Sequence, residues 1–208
     1  KKALTKGTLE AGLQYRYEYR FEDLNFENYN APTGNWTADT VFSTRLDYFN
    51  NIYSGYATWS GKLIGIDYMA GVRSEYFQRS IKFSRYAGSF DYNKFMVYPS
   101  LHLSKMINNA HQFQLSYSRR INRPQPYVLN FTPVYIDPDN QFIGSPYLKP
   151  EFTDAFELNY RWMYKIMTLS AQTYYRITTN SLTTSRKMNE EGIIIHQLIN
   201  ADNQTSYG

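Results

Sequence analysis

From Thr8 to Phe21 the chain alternates residue by residue. Leu9, Ala11, Leu13, Tyr15, Tyr17, Tyr19 and Phe21 share one parity, while Glu10, Gly12, Gln14, Arg16, Glu18 and Arg20 share the other. A period of two predicts a strand with one apolar and one wet face. Strands in globular proteins run about five or six residues, whereas a tilted strand needs ~9–11 to cross the hydrocarbon of a membrane. This one is long enough for the second role.

The pattern recurs down the chain. A polar loop from Glu22 to Asp39, with Pro32 and Gly34, precedes a second strand that runs to about Trp59. Leu46, Tyr48, Ile52 and Tyr56 share its apolar parity, and Asn50-Asn51 interrupts its regularity. A tight turn at Ser60-Gly61 opens a third strand, Lys62 to Phe77, with Ile64, Ile66, Tyr68, Ala70, Val72 and Tyr76 against Asp67, Gly71, Arg73 and Glu75. After a loop from Gln78 to Asp91 comes a fourth, Tyr92 to Lys105, with Phe95, Val97, Leu101 and Leu103 aligned. Pro99 lies on that face, which requires a bulge or a position outside the hydrogen-bonded ladder. The turn Met106 to Ala110 is short, and the fifth strand follows with Phe113, Leu115 and Tyr117 on one face.

A loop from Asn122 to Pro150 carries Pro124, Pro126, Pro133, Pro138 and Pro146, so it is not ladder interior. The sixth strand sets Phe152, Phe156, Leu158, Tyr160 and Trp162 against Thr153, Ala155, Glu157, Asn159 and Arg161. A short turn near Lys165 leads to the seventh, Met167 to Thr178. A polar stretch, Thr179 to Gly192, then precedes an eighth at about Ile193 to Asn200. Connections therefore alternate long and short, as in outer-membrane barrels with long external loops and short periplasmic turns. The predicted fold is all-β: an antiparallel up-and-down transmembrane β-barrel segment of about eight strands. A small complete eight-stranded barrel, acting as adhesin or structural protein, is the alternative. A soluble β-rich binding domain is a further one.

Composition sharpens this reading. Aromatic residues make up 18% of the chain, with 21 Tyr and 13 Phe, beside a mean hydropathy of −0.57. Tyrosine joins an apolar ring to a polar tip and suits membrane–water boundaries. No apolar run approaches the ~20 residues of a transmembrane helix, a test that leaves barrels untouched. The absence of cysteine excludes disulfides and thiol chemistry. The net charge of +4 is spread among mixed signs, so no nucleic-acid footprint is expected. No apolar signal segment follows Lys1-Lys2.

Several stretches resemble a known family. Tyr98 to Ser104, then Gln114-Leu115-Ser116-Tyr117-Ser118-Arg119-Arg120-Ile121-Asn122-Arg123-Pro124, is similar to the outer-membrane β-barrel family at the C-terminal part of TonB-dependent receptors of Bacteroidetes. Gly144-Ser145-Pro146-Tyr147-Leu148-Lys149-Pro150-Glu151 and Glu157-Leu158-Asn159-Tyr160 resemble its G-N-P-x-L-K-P-E and E-L-G-Y segments. Asn51 to Ala57 and Ala70 to Glu75 resemble two further strands. Ser145, Asn159 and Asn51 depart from the family's usual Asn, Gly and acid.

The resemblance implies a single barrel segment over 1–208, part of a barrel of about 22 strands and on the order of 570 residues. The N-terminal plug and TonB box of such receptors are not in this sequence. It further implies an outer-membrane location in a Gram-negative bacterium and a share in uptake of a nutrient such as a siderophore, glycan or peptide. Implied partners are outer-membrane lipid, lipopolysaccharide, the nutrient, and the TonB complex through the plug region. Tyr117, Asn122, Pro124, Gly144, Pro146, Leu148, Pro150, Glu151 and Glu157 are expected as structural signature positions.

Arg119, Arg120 and Arg123 gather at one strand end. They are candidates for contact with an anionic substrate or with lipopolysaccharide phosphate, as are Tyr127 and Tyr135 in the adjoining loop. The plainer expectation for the arginines is pairing with Glu151, Asp154 or Glu157 on the neighbouring strand. Arg119 shares parity with Tyr117 and should face lipid and headgroups. His102, His111 and His196 lie in three elements without ligand spacing, and Asp137-Pro138-Asp139-Asn140 lacks the rest of a calcium loop, so no metal or cofactor is expected. No catalytic motif occurs, so an enzyme is not expected.

Overall fold

The structure, a computed structural model, describes residues 2–4 and 7–208. Its frame is one antiparallel sheet. The long strands are β2 (Gly7–Leu24), β5 (Thr44–Leu63), β6 (Ile66–Phe83), β7 (Ser89–Ile107), β8 (His111–Asn122), β11 (Glu151–Tyr164) and β12 (Met167–Thr179). Short strands β1 (Lys2–Leu4) and β15 (Gln204–Tyr207) complete the order β1-β2-β5-β6-β7-β8-β11-β12-β15. Among the described residues no pairing joins the β1 end to the β15 end, so the sheet is open.

Register fixes the two faces. Direct partners share a side, and Tyr15↔Tyr53↔Tyr76↔Phe95 runs unbroken across four strands. With them lie Leu13, which is 92% exposed, Val72, Val97, Leu101, Leu115 and Leu158, all exposed. This is the apolar outer face. On β5, Trp59 packs edge-on against Tyr68, and ten positions higher Phe49 packs against Tyr19. Ten residues span about 33 Å of strand, roughly 25 Å of height at a ~40° tilt, which matches the apolar band of an outer-membrane barrel. The Arg45–Asp47 pair stands just above, and Lys62–Asp67 just below.

Several expected boundaries shift. The first short turn is Ile64-Gly65, not Ser60-Gly61. Both residues have positive φ (50° and 72°), and hairpin register rather than the earlier Ser-Gly signal sets it. The apolar parity expected for the second strand is inverted: Leu46, Tyr48, Ile52 and Tyr56 face inward, while Phe49, Tyr53, Ala57 and Trp59 face out. The upper inner wall is itself a packing surface, so apolar residues mark both faces there. Lower down, Tyr56 fills the space left opposite Gly12, where a Cβ would lie 2.7 Å from its ring. Pro99 keeps its register with Val72, and the ladder from β7 to β8 begins only at Ser100, so its missing N–H falls where that ladder has ended.

Ile193 to Asn200 does not form an eighth wall strand. β14 (Ile194–Asn200) pairs with β13 (Leu182–Met188) and, in parallel, with β10 (Asn140–Ile143), whose hairpin partner is β9 (Val134–Asp137). The alternation of Ile193 to Ile199 serves a loop sheet, and β15 takes the wall position. Between β2 and β5 the loop forms a hairpin of β3 (Glu27–Asn30) and β4 (Asn35–Ala38).

Candidate functional site on the inner wall and its loops

The two long loops fold back over the inner face. A 3-10 turn, Pro126–Leu129, buries Val128 and Leu129 against Leu46, Tyr48, Ile81, Phe83 and Leu148, joined by Phe142, Leu182 and Leu198. Residues 123–150 and 181–200 thereby form one cap anchored to β5 and β6.

The stretch Gly144 to Pro150 turns at Pro146-Tyr147 and belongs to no sheet, so its backbone groups need other partners. Gly144 donates to the Asn130 carbonyl at 2.9 Å, and Ser145 to that of Val128 at 2.9 Å. A Cβ on Gly144 would sit 2.4 Å from both of those carbonyl oxygens, so glycine is required by the approach of the two backbones. Gly144, Pro146, Leu148 and Pro150 are buried, while Tyr147 and Lys149 are exposed. Arg79, only 3% exposed, reaches in from β6 and donates to the carbonyls of Pro146 (2.9 Å) and Leu148 (3.1 Å). From the other side Asn200 accepts from the Lys149 N–H at 2.8 Å and donates to its carbonyl at 2.9 Å. Two side chains thus replace two missing strands.

Glu75, 4% exposed on β6, carries the main charge network. Arg73 donates to it at 2.7 Å and reaches Gln14 and Ser54 across β5 and β2. Arg123 crosses from the end of β8 to pair with the other Glu75 oxygen, its guanidinium 4.9 Å over the Phe77 ring. On β2, Arg20 pairs with Glu18 at 2.5 Å, and Glu18 accepts from Asn50 at 3.3 Å.

The arginines singled out in the sequence therefore part company. Arg119 stands opposite Asp154 on the outer parity, 3.9 Å away, and over the Phe152 ring at 5.5 Å; Tyr117 donates to the same Asp154 at 2.8 Å. Arg120, opposite Thr153, is exposed and has no ion-pair partner among the described residues. Arg123 turns to the interior. Glu151 accepts from Asn122 (2.6 Å) and from the Leu182 N–H (2.6 Å), and Glu157 pairs with Arg176 at 3.1 Å. Pro124 is buried under the cap. Tyr127 is exposed, and Tyr135 packs on Phe42 with ring centroids 5.4 Å apart. Sequence reasoning set Glu75 on the wet face but missed its pairing with Arg73 and Arg123, and it missed Arg79. The signal available was Arg79 standing two periods of the alternation beyond Glu75, on the same wet parity of β6 as Arg73 and Glu75.

This pattern of wall, short turns and folded-back loops is that of a known group. The chain belongs to the outer membrane protein beta-barrel family, matching it over residues 1–208. The family sets the protein in the outer membrane. No curated protein matches the chain. Solved structures share its fold, among them three transport proteins and receptors. The copper transporter OprC superposes with a TM-score of 0.67 at 13% identity, covering 99% of this chain and 32% of that one. The hemophore receptor HasR of Serratia marcescens gives 0.61 at 10% identity, over 97% and 38%. The siderophore receptor PirA of Pseudomonas aeruginosa gives 0.52 at 12% identity, over 100% and 50%. The chain thus spans between a third and a half of the length of these proteins.

Proposed function

We propose that the chain forms part of the wall and extracellular cap of an outer-membrane receptor that takes up a nutrient. The observation that carries this reading is the open sheet, lipid-facing and aromatic outside, with its long loops fastened over a polar interior by Arg79 and Glu75. An open sheet leaves strand edges unpaired along β2 and β12, which favours a larger barrel over the small closed one. A hemophore receptor, a copper transporter and a siderophore receptor share the architecture and support uptake as the activity, without selecting a substrate. In this reading the protein acts by binding and passage rather than by catalysis. Further strands and a plug region that engages the TonB complex lie outside the present chain. Arg119 and Arg120 meet lipopolysaccharide or solute at the rim, Tyr127 and Tyr135 meet solute at the cap, and Arg123 does so from the interior.

The test is growth of a deletion strain on single sources of iron chelate, glycan, peptide and cobalamin. A defect confined to one source, restored by the intact gene but not when TonB is absent, is expected. Equal growth on all of them would contradict the reading.

A further inference from the structure

The outer face carries charge towards both ends of the wall, and the two ends differ. At the end with the long loops, four aspartates share its parity. Asp23 stands opposite Arg45, Asp47 opposite Lys82, Asp154 opposite Arg119, and Asp91 lies beside Lys82. Each of those cations has an acid next to it.

At the end with the short turns the balance changes. Leu103 lies opposite Tyr68, whose ring packs on Trp59, and Lys105 is the next residue of that face towards the turn. Lys105 stands opposite Phe113, Phe113 opposite Tyr160, and His111 opposite Trp162. Phe113 packs on Tyr160 with centroids 4.9 Å apart. His111 Nδ1 lies 2.7 Å from the Tyr160 hydroxyl, and its ring stacks on Trp162. In the turn that follows β11, Lys165 lies over the Tyr164 ring at 5.4 Å. Both lysines are exposed, and neither has an ion-pair partner among the described residues. No described acid shares the outer face at this end.

Short turns mark the periplasmic side of such a wall, so this edge meets headgroups of the inner leaflet. Tyrosine and tryptophan suit that level, and a lysine reaches the headgroups with its ammonium while its methylenes stay on apolar surface. The missing acid selects the head. A zwitterionic head brings an ammonium of its own, which needs an acceptor, and the edge offers further ammoniums instead. A head whose phosphate is its only charge brings none.

We infer that the periplasmic edge of this wall binds anionic phospholipid, with Lys105 and Lys165 drawing the phosphates and His111, Tyr160 and Trp162 seating the head. The surface belongs to the face turned to lipid and to strands and turns of this chain, so the inference goes beyond the uptake reading and does not depend on it.

The experiment reconstitutes the full-length natural protein in phosphatidylcholine vesicles. Electron spin resonance then compares the association of chain-labelled phosphatidylglycerol with that of chain-labelled phosphatidylethanolamine. Phosphatidylglycerol is expected to associate about two- to fivefold more strongly, and less so at high salt, which screens exposed charge. Lys105→Gln combined with Lys165→Gln should remove at least about half of that preference, whereas Lys105→Arg combined with Lys165→Arg should keep it. Lys62→Gln is the control, because Lys62 has inner parity near the same end and pairs with Asp67; it should change nothing. The number of lipids immobilised per protein reports the wall itself and should be the same in every variant, since Lys105 and Lys165 are exposed. Equal association of the two lipids, a preference untouched by the double Gln variant, or one lost equally with Lys62→Gln would overturn the assignment. Those outcomes concern lipid alone and leave the receptor reading standing.

Discussion

Burying a guanidinium is unfavourable unless its N–H groups find acceptors, and Arg79 finds two backbone carbonyls instead of a carboxylate. The pair is mutually dependent, because the same carbonyls have no strand to receive their hydrogen bonds from. Arg79→Ala should therefore cost about 3 kcal/mol of local stability and expose residues 144–150 to protease, read as a new cleavage in folded protein. Unchanged digestion would contradict the clamp. Gly144→Ala tests the same segment from the other side. Its Cβ has no room between the Val128 and Asn130 carbonyls, so faster amide exchange at Gly144 and Ser145 is expected. Asp39, in the loop after β4, offers a pH test. The amide of Asn28 and the backbone N–H of Phe42 hold its carboxyl below the ordinary range. A lowered folded-state value means its contribution is present above the ordinary carboxylate pKa and is lost as pH falls through the lowered one. The β3–β4 hairpin, with Trp36 against Tyr29 at 5.1 Å, should show a change in Trp36 emission only in that acid range.

At the level of the elements, long alternating strands were legible because alternation survives wherever one face meets lipid and the other meets water. The strands carrying Leu9 to Phe21, Phe113 to Tyr117 and Phe156 to Trp162 follow the pattern read from their residues, while Phe152 is buried among Ile52, Phe77, Met96 and Tyr98. The parity of β5 was not legible, because Leu46 and Tyr48 are buried by a cap that sequence periodicity does not encode, and Ile52 packs with Phe77, Met96, Tyr98 and Phe152. The strand at Ile194 was misplaced for a related reason: a short apolar alternation reads alike in a wall and in a loop sheet. The signature Gly144 to Glu151 was visible as a motif, but its clamp required knowing that Arg79 lies across the interior. Facing predicts energetics as well. Leu13→Arg, on the outer face, should destabilise the membrane-embedded protein by about 2–4 kcal/mol in urea unfolding from lipid vesicles. Gln14→Arg, one residue on and facing inward, should cost far less. Equal losses would contradict the facing.

For the molecule as a whole, everything depends on the facing of the wall: Leu13, Tyr53 and Val72 toward lipid, Gln14, Ser54 and Arg73 toward the interior. The chain has no cysteine, so single substitutions give unambiguous labels once any cysteine elsewhere in the full-length protein is replaced by serine. Spin labels at Leu13→Cys, Tyr53→Cys and Val72→Cys, paired with Gln14→Cys, Ser54→Cys and Arg73→Cys, should be measured in the full-length protein in lipid bilayers. Oxygen dissolved in lipid should relax the first set, and a water-soluble nickel chelate the second. Loss of that alternation, or Tyr53→Cys relaxed by the nickel chelate while Ser54→Cys responds to oxygen, would contradict the wall and every inference built on its inner face.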